Sequence, residues 1–359
     1  NTGVSSLEET DGGLLVTLDN GEALAASMAV ISIGVVPDTH LAGEAGLKLG
    51  VKGSIAVNSR MQTSDPDIYA VGDAVETNHF ITGEKALVPL AGPANKQGRI
   101  AADNICGRES YYHGAQGSSV LKLFDMTAAA TGLSEKAAAA AGLSYDKVVT
   151  FSASHAAYYP GTSNMTIKTV FDKESGKILG AQIVGFDGVD KRIDVIAAAI
   201  RAGMAGEDLE ELELAYAPPF SSAKDPVNMA GYVIENVRHE LVRQYHWHDV
   251  KDLPRDGSAI LLDTRTPSEY ERKHIEGTVN IPLDELRGRI GELDRSKPVY
   301  VNCFSGLRSY IACRILSGYG FTCYNLSGGF RFYDIVTSDE GFDSRPKHAC
   351  GVEIGAAGE

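Results

Sequence analysis

Cysteine is scarce in this sequence. The five present, at positions 106, 303, 313, 323 and 350, are odd in number and include no Cys-x-x-Cys pair. That spacing supports neither a disulfide framework nor a zinc centre, so no metal and a reducing, cytoplasmic setting are expected. His246 and His248 stand two apart without a third ligand and read as surface residues, with the single tryptophan, Trp247, as a packing anchor. Cys313 and Cys323 fall in apolar stretches and read as core, while Cys350 lies in a Gly-rich tail. Positive charge is in deficit, with 33 Lys and Arg against 47 Asp and Glu, a net charge of -14. A surface of that sign repels phosphate backbones and anionic lipids, which argues against nucleic acid or a membrane as partner. No apolar run approaches the ~18 residues of a membrane-crossing helix; the run at residues 195–200 is closed by Arg201. No basic-then-apolar leader opens the chain. There is also no Gly-x-Gly-x-x-Gly, and hence no such loop to cradle a dinucleotide pyrophosphate.

The informative residues begin at Cys303, which opens the loop Cys303-Phe304-Ser305-Gly306-Leu307-Arg308 after the strand-like run Pro298-Val299-Tyr300-Val301-Asn302. A cysteine held where a strand gives way to a turn, ringed by backbone amides and an arginine, is placed to react as a thiolate. A buried structural cysteine is the plain alternative. Thiolate phosphatase chemistry is another, but Arg308 is the fifth residue after Cys303, where Cys-x5-Arg phosphatases would place it sixth. Upstream lie Leu261-Leu262-Asp263-Thr264-Arg265 and His274-Ile275-Glu276-Gly277, and downstream Leu326-Ser327-Gly328-Gly329-Phe330. In this order the segments resemble a rhodanese domain over residues 243–340. The resemblance implies that Cys303 carries sulfane sulfur as a persulfide. It further implies that the loop amides hold the anion, with Arg308 an anion-binding residue, and that Asp263 and Arg265 brace the fold.

The opening segment reads as a hairpin, with strands at residues 13–18 and 22–26 around Asp19-Asn20-Gly21. A buried strand is expected at residues 28–34, then the turn Val35-Val36-Pro37-Asp38. A two-stranded start has little core of its own, so a preceding segment is expected. Next comes Thr63-Ser64-Asp65-Pro66-Asp67-Ile68-Tyr69-Ala70-Val71-Gly72-Asp73-Ala74. A buried strand at residues 68–71 would deliver Gly72 and Asp73 to its carboxyl end, where open α/β sheets bind ligands. Further on, Leu87-Val88-Pro89-Leu90-Ala91-Gly92-Pro93-Ala94-Asn95 leads into a helix expected to run to residue 105. Its free amides suit an electron-rich partner, although close helix–sheet packing would need the same small residues. These segments resemble the second FAD-binding motif and the flavin-facing segment of the pyridine nucleotide-disulfide reductase superfamily. The resemblance implies FAD held at Gly72, Asp73, Pro89, Leu90, Ala91 and Asn95, with Asp73 accepting from the ribityl chain, and NAD(P)H as reductant. The pyrophosphate loops and redox cysteine of that superfamily are missing here, so the likeness is to its C-terminal part.

Between these regions, strands are expected at residues 120–124, 147–152, 165–171 and 178–184, and helices at 134–141, 191–202 and 225–243. Ser134 reads as an N-cap and Gly142 as a stop. This alternation resembles the reductase dimerisation domain and implies a homodimer. Tyr158 lies in Ser154-His155-Ala156-Ala157-Tyr158-Tyr159-Pro160-Gly161, and Tyr216 opens Tyr216-Ala217-Pro218-Pro219-Phe220-Ser221-Ser222-Ala223-Lys224-Asp225-Pro226. A phenol can donate to a departing thiolate without a competing charge at neutral pH; ordinary packing is the alternative. Joined to the rhodanese segment, the two stretches resemble the coenzyme A-disulfide reductases also described as NADH-dependent persulfide or polysulfide reductases. In that family a pair of tyrosines reaches across the dimer to the redox cysteine and CoA, which implies catalytic roles for Tyr158 and Tyr216 beside Cys303 and Arg308.

The expected molecule is α/β. It has a partial FAD/NAD(P)-binding Rossmann-like region at residues 1–110, an α+β dimerisation domain at 111–242, an α/β rhodanese domain at 243–340 and a tail at 341–359. The expected function is FAD-dependent, NAD(P)H-driven reduction of CoA disulfide, CoA persulfide or polysulfide, coupled to a rhodanese sulfur carrier. One rival is a reductase remnant that only dimerises beside a working rhodanese; another is an NADH oxidase or peroxidase, which the tyrosine pair and rhodanese segment disfavour. The sequence does not choose among the sulfur substrates, between NADH and NADPH, or the direction of sulfur flow.

Overall fold

The structure, a computed structural model, describes residues 2–338; Cys350 and the tail lie outside the described residues. It divides into two units, Asn1–Thr77 with Lys85–His113, and Asn78–Glu84 with Gly114–Glu359. In the first unit β1 (Val4–Thr10), β2 (Gly13–Leu18) and β3 (Ala23–Ala26) form an antiparallel meander. Strand β1 is an addition to the expected hairpin, because its Ser, Glu and Thr residues carry little apolar alternation. Two expected strands do not form. Residues 28–34 form no strand, and Val30 and Ile33 stand 78% and 93% exposed. An apolar run becomes a buried strand only between neighbours it can hydrogen-bond, and the described residues place none beside it. Residues 68–71 make a single bridge, from Tyr69 to Gln62, for the same reason. Helix α1 (Ala91–Ile105) forms as expected. Its Asn104 side chain donates to the carbonyls of Arg60, Ile100 and Ser110, which fixes the loops around it.

The second unit carries two sheets. Strands β4 (Ser119–Leu123), β5 (Met126–Gly132), β6 (Tyr145–Ala153), β7 (Asn164–Asp172) and β8 (Ile178–Gly185) lie antiparallel in the order β4-β5-β8-β7-β6. Alternation along β7 buries Met165, Ile167 and Thr169 on one face. Met165 and Ile167 share a core with α3 (Val189–Ala202), α4 (Gly206–Glu211) and α5 (Pro226–Arg238) through Ile193, Ile196, Leu209, Val227 and Ile234. Each such side chain contributes roughly 1.5–3 kcal/mol on burial. Earlier in this unit, Ser134 caps the short α2 (Glu135–Ala140) by accepting from the Ala137 amide. Strand β5 was not among the expected ones; its Ala, Thr and Gly residues give little apolar signal, and β4 and β8 hold it by pairing on both sides. The helix expected at residues 225–243 stops at Arg238, because Glu240 takes the left-handed φ of 54° and Arg243 begins a strand.

That strand, β9 (Arg243–Tyr245), opens a parallel sheet with β10 (Ile260–Asp263), β11 (Val279–Asn280), β12 (Val299–Asn302) and β13 (Cys323–Leu326), in the order β9-β13-β12-β10-β11. Helices α6 (Pro267–Arg272), α7 (Leu307–Gly318) and α8 (Gly329–Thr337) follow β10, β12 and β13. Cys313 and Cys323 are buried in its core. Tyr245, not Trp247, is the packing anchor. Tyr245 closes β9 and is 5% exposed beside Val250, Ile275, Leu326 and Phe330, whereas Trp247 lies past the strand and is 37% exposed. The two sheets are fastened along β6, where Gln244 Nε2 donates to Lys147 O at 3.2 Å and the Val149 amide donates to Ser327 Oγ at 3.2 Å.

Candidate active site

Cys303 is the first residue beyond β12, at the carboxyl end of the parallel sheet, where such sheets present ligand sites. Gly306, at φ 99°, turns the chain into α7. Cys303 Sγ accepts from the Gly306 amide at 3.1 Å and from the Ser309 hydroxyl at 3.2 Å. Behind the loop, a Cβ on Gly329 would lie 2.7 Å from both Cys303 O and Gly306 N, so this left-handed position admits only glycine. The Phe330 amide donates to Cys303 O at 2.7 Å and the Arg331 amide to Phe304 O at 2.9 Å. The first turn of α8 therefore clamps the loop.

Arg308 faces a carboxylate. Its Nη1 and Nη2 each donate to Glu269 at 2.8 Å. Glu269 is also the third residue of α6 and caps it reciprocally with Thr266. The Arg308 guanidinium holds the Glu269 carboxyl down at about 2, and the same bond raises the Arg308 pKa. Arg308 thus ties the Cys303 loop to α6. Deeper in the sheet, Arg265 and Asp263 form a buried pair at 2.7 Å, with Arg265 stacked 4.1 Å over Phe330 and donating to Lys273 O.

Tyr158 and Tyr216 come together with hydroxyl oxygens 3.2 Å apart, 77% and 46% exposed. That hydrogen bond raises the Tyr216 pKa above its ordinary value. The Ala156 amide donates to Pro218 O at 3.3 Å and joins the two segments. His155 is buried, its ring held by Ser154 Oγ and Pro160 O.

In the first unit Gly72 sits at φ 87°, and its amide donates to Gln97 Oε1 of α1 at 2.8 Å. The Asp73 carboxylate beside it is exposed and, among the described residues, unpaired. Leu90 starts α1 without a side-chain cap, so first-turn amides stay open. Ala91 and Asn95 are exposed there, and Pro89 and Leu90 half-buried. A free carboxylate, open amides and a left-handed glycine fit a cofactor that carries a polyol and an electron-rich ring.

The predicted residues therefore gather in three places: Cys303 with Arg308, Tyr158 with Tyr216, and Gly72 and Asp73 in the unit that holds Pro89, Leu90, Ala91 and Asn95. Among the described residues no His, Cys, Asp and Glu cluster could hold a metal ion, and no helix is long and apolar enough to cross a membrane. Sequence reasoning passed over Glu269, Ser309 and Arg331. The Thr266-x-x-Glu269 pattern is a capping-box signature that could have flagged the first. The other two stand in first turns of helices, one starting in the loop and one packed behind it, visible only once Gly306 and Gly328 are recognised as helix starts.

Residues 1–98 match the pyridine nucleotide-disulphide oxidoreductase family, residues 118–226 its dimerisation domain and residues 246–333 the rhodanese-like domain. The chain belongs to the pyridine nucleotide-disulphide oxidoreductases and carries a rhodanese-like domain after the dimerisation domain. It is similar to reduced Bacillus anthracis CoADR-RHD, at 47% identity and a TM-score of 0.89 over 93% of this chain and 60% of that one. It is also similar to the NAD-dependent persulfide reductase from A. fulgidus, at 40% identity and 0.84 over 92% and 60%. The NAD(P)H coenzyme A polysulfide/persulfide reductase of Pyrococcus horikoshii is 38% identical over 220 residues, 61% of this chain and 49% of that protein. The chain thus spans about half the length of that curated relative.

Proposed function

We propose that the chain serves FAD-dependent, NAD(P)H-driven reduction of CoA disulfide, CoA persulfide or polysulfide, coupled to a rhodanese sulfur carrier in a cytoplasmic homodimer. The observation that carries this reading is the Cys303 loop, with two donors on Sγ, in the same chain as an exposed pair of hydrogen-bonded phenols. The similarity to proteins named as CoA polysulfide/persulfide and persulfide reductases supports the choice of substrate class.

In sulfur transfer, the Cys303 thiolate attacks the outer sulfur of the donor. The donor sulfur–sulfur bond breaks, its electron pair leaves with the donor, and Cys303 keeps the sulfur as a persulfide. The Gly306 amide and Ser309 hydroxyl already point at Sγ and stabilise negative charge there before attack and after release. Arg308 acts through position, holding the loop by way of Glu269. At the tyrosine pair one hydroxyl donates to the other, so one proton remains to meet a departing thiolate. Gly72, Asp73, Pro89, Leu90, Ala91 and Asn95 would hold FAD, which when bound supplies two-electron transfer from nicotinamide to a sulfur–sulfur bond. Asp73 would accept from a polyol hydroxyl, and the open amides of α1 would face the electron-rich ring edge.

Replacing Cys303 by Ala is expected to abolish thiosulfate sulfurtransferase activity and the mass gain of one sulfur after exposure to thiosulfate. Retained transfer would remove Cys303 from the reaction.

A further inference from the structure

A second arginine stands against the Cys303 loop, and among the described residues it has no counter-charge. Arg331 stands in the first turn of α8, its amide bonded to Phe304 O at 2.9 Å, so its backbone is fixed against the loop. Its guanidinium lies 4.8 Å from the centroid of Phe151, on β6, and 5.8 Å from that of Phe304, in the loop itself. Other arginines of this unit at least as buried as Arg308 have carboxylates: Arg192 meets Asp225, Arg238 meets Glu207, Arg265 meets Asp263 and Arg308 meets Glu269. Among the described residues Arg331 meets none, and burial alone acts on it, pushing its pKa down. Two aromatic faces attract a cation but accept no N–H bond in its plane, so the planar donors of the guanidinium remain unspent. A partly desolvated guanidinium with free donors is suited to a bidentate oxyanion.

We propose that Arg331 is the anion-recognising residue of the sulfur-transfer site, binding the sulfonate oxygens of a thiosulfonate-type donor. This rests on Cys303 as the sulfur carrier and adds a residue that would recognise donors with an oxyanion beside the sulfur to be moved. The Cys303 thiolate attacks the sulfane sulfur, and the bond from that sulfur to the sulfonate sulfur breaks. The electron pair departs with the leaving sulfite, and a new bond joins Sγ to the transferred sulfur. Charge balances without any further proton or electron. Arg331 stays on the oxygens of the departing group and does not touch Sγ. Because Phe151 belongs to the antiparallel sheet, the donor site is built by both sheets of the unit.

The test compares wild type, Arg331→Gln, Arg331→Lys and Cys303→Ala in the whole protein, with thiosulfate as donor and cyanide as acceptor. Arg331→Gln is expected to raise the thiosulfate KM by about 10- to 100-fold, the loss of a charged hydrogen-bond pair, with the change concentrated in KM rather than kcat. Arg331→Lys should recover part of it, which a merely packed-down side chain would not show. A second readout is the rate at which Cys303 reacts with methanethiosulfonates bearing a sulfonate or a trimethylammonium group, corrected against Cys303→Ala. Wild type should prefer the anionic reagent, and Arg331→Gln should lose that preference. An unchanged KM and an unchanged charge preference, with Cys303→Ala inactive, would overturn the assignment of Arg331 alone. Sulfur transfer by Cys303→Ala would overturn the sulfur-carrier reading and the assignment with it.

Discussion

Replacing Glu269 by Gln isolates the charge that ties the Cys303 loop to α6, since glutamine keeps a capping acceptor for the Thr266 amide. The folded carboxyl titrates at about 2 against an ordinary 4.5, a gap of 4.5 minus 2, or 2.5. At ~1.36 kcal/mol per unit the unscreened value is about 3 kcal/mol. Glu269 and Arg308 are 28% and 33% exposed in their side chains, so solvent screening brings the expected loss to about 1–2 kcal/mol. The sign follows from the depressed pKa: the contribution is complete well above 4.5 and is lost as pH falls toward 2. Roughly a quarter should be gone by about pH 4 and more than half by about pH 3. Urea unfolding followed by Trp247, the only tryptophan, reports on the rhodanese-like domain. With a slope of ~1–3 kcal/mol per molar urea, Glu269→Gln should lower the midpoint by about 0.5–1 M at neutral pH. The gap between variant and wild type should then shrink on acidification. A midpoint that does not move, or a gap as wide at about pH 3 as at neutrality, would refute the ion pair as a source of stability and leave Glu269 as a helix cap only.

Asp263→Asn should be far more damaging. It leaves Arg265 charged and buried without its partner, with an expected loss of about 3–5 kcal/mol in thermal or urea unfolding; a loss below about 1 kcal/mol would show that the Lys273 carbonyl and the Phe330 ring suffice for Arg265. Tyr158→Phe and Tyr216→Phe should each slow CoA-disulfide or persulfide reduction by the flavin-loaded enzyme. Because the two hydroxyls share one hydrogen bond, the double variant should lose less than the product of the single losses. Strictly multiplicative losses would mean the phenols act apart, and unchanged rates would remove them from the site.

Legibility from sequence followed the origin of each element's stability. Parallel strands buried on both faces announce themselves as apolar runs, so residues 299–301 and the cysteine after them could be placed without a structure. Helix α5 was legible at its start, where Asp225 and Pro226 form a capped entry, and not at its end, where only the φ of Glu240 stops it. Strands β1 and β5 escaped because pairing rather than apolar pattern holds them. The opposite error arose at residues 28–34 and 68–71, where apolar pattern was present and pairing was missing or limited to one bridge. The phenol pair was found through resemblance, and its 3.2 Å contact is a fact of tertiary structure that no spacing encodes. Arg308 shows the same limit: its position in the loop suggested an anion site, but the partner that occupies it lies 39 residues away.

The sheet-to-sheet fastening lies behind the Cys303 loop. Ser327, which accepts from the Val149 amide, immediately precedes Gly328 and Gly329, the pair that lets α8 press against Cys303 and Gly306. The left-handed Gly328 also lies under Val149, since a Cβ there would come within 2.9 Å of the Val149 side chain. Two residues beyond Val149 on the same strand is Phe151, under Arg331. A shift of β6 would therefore reach the back of the Cys303 loop by way of Ser327, Gly328 and the first turn of α8, whereas a shift of α6 would reach it through the half-exposed Arg308 ion pair. The Cys303 loop is thus backed directly by the first turn of α8, and the glycine start of α8 is in turn held against β6 of the antiparallel sheet.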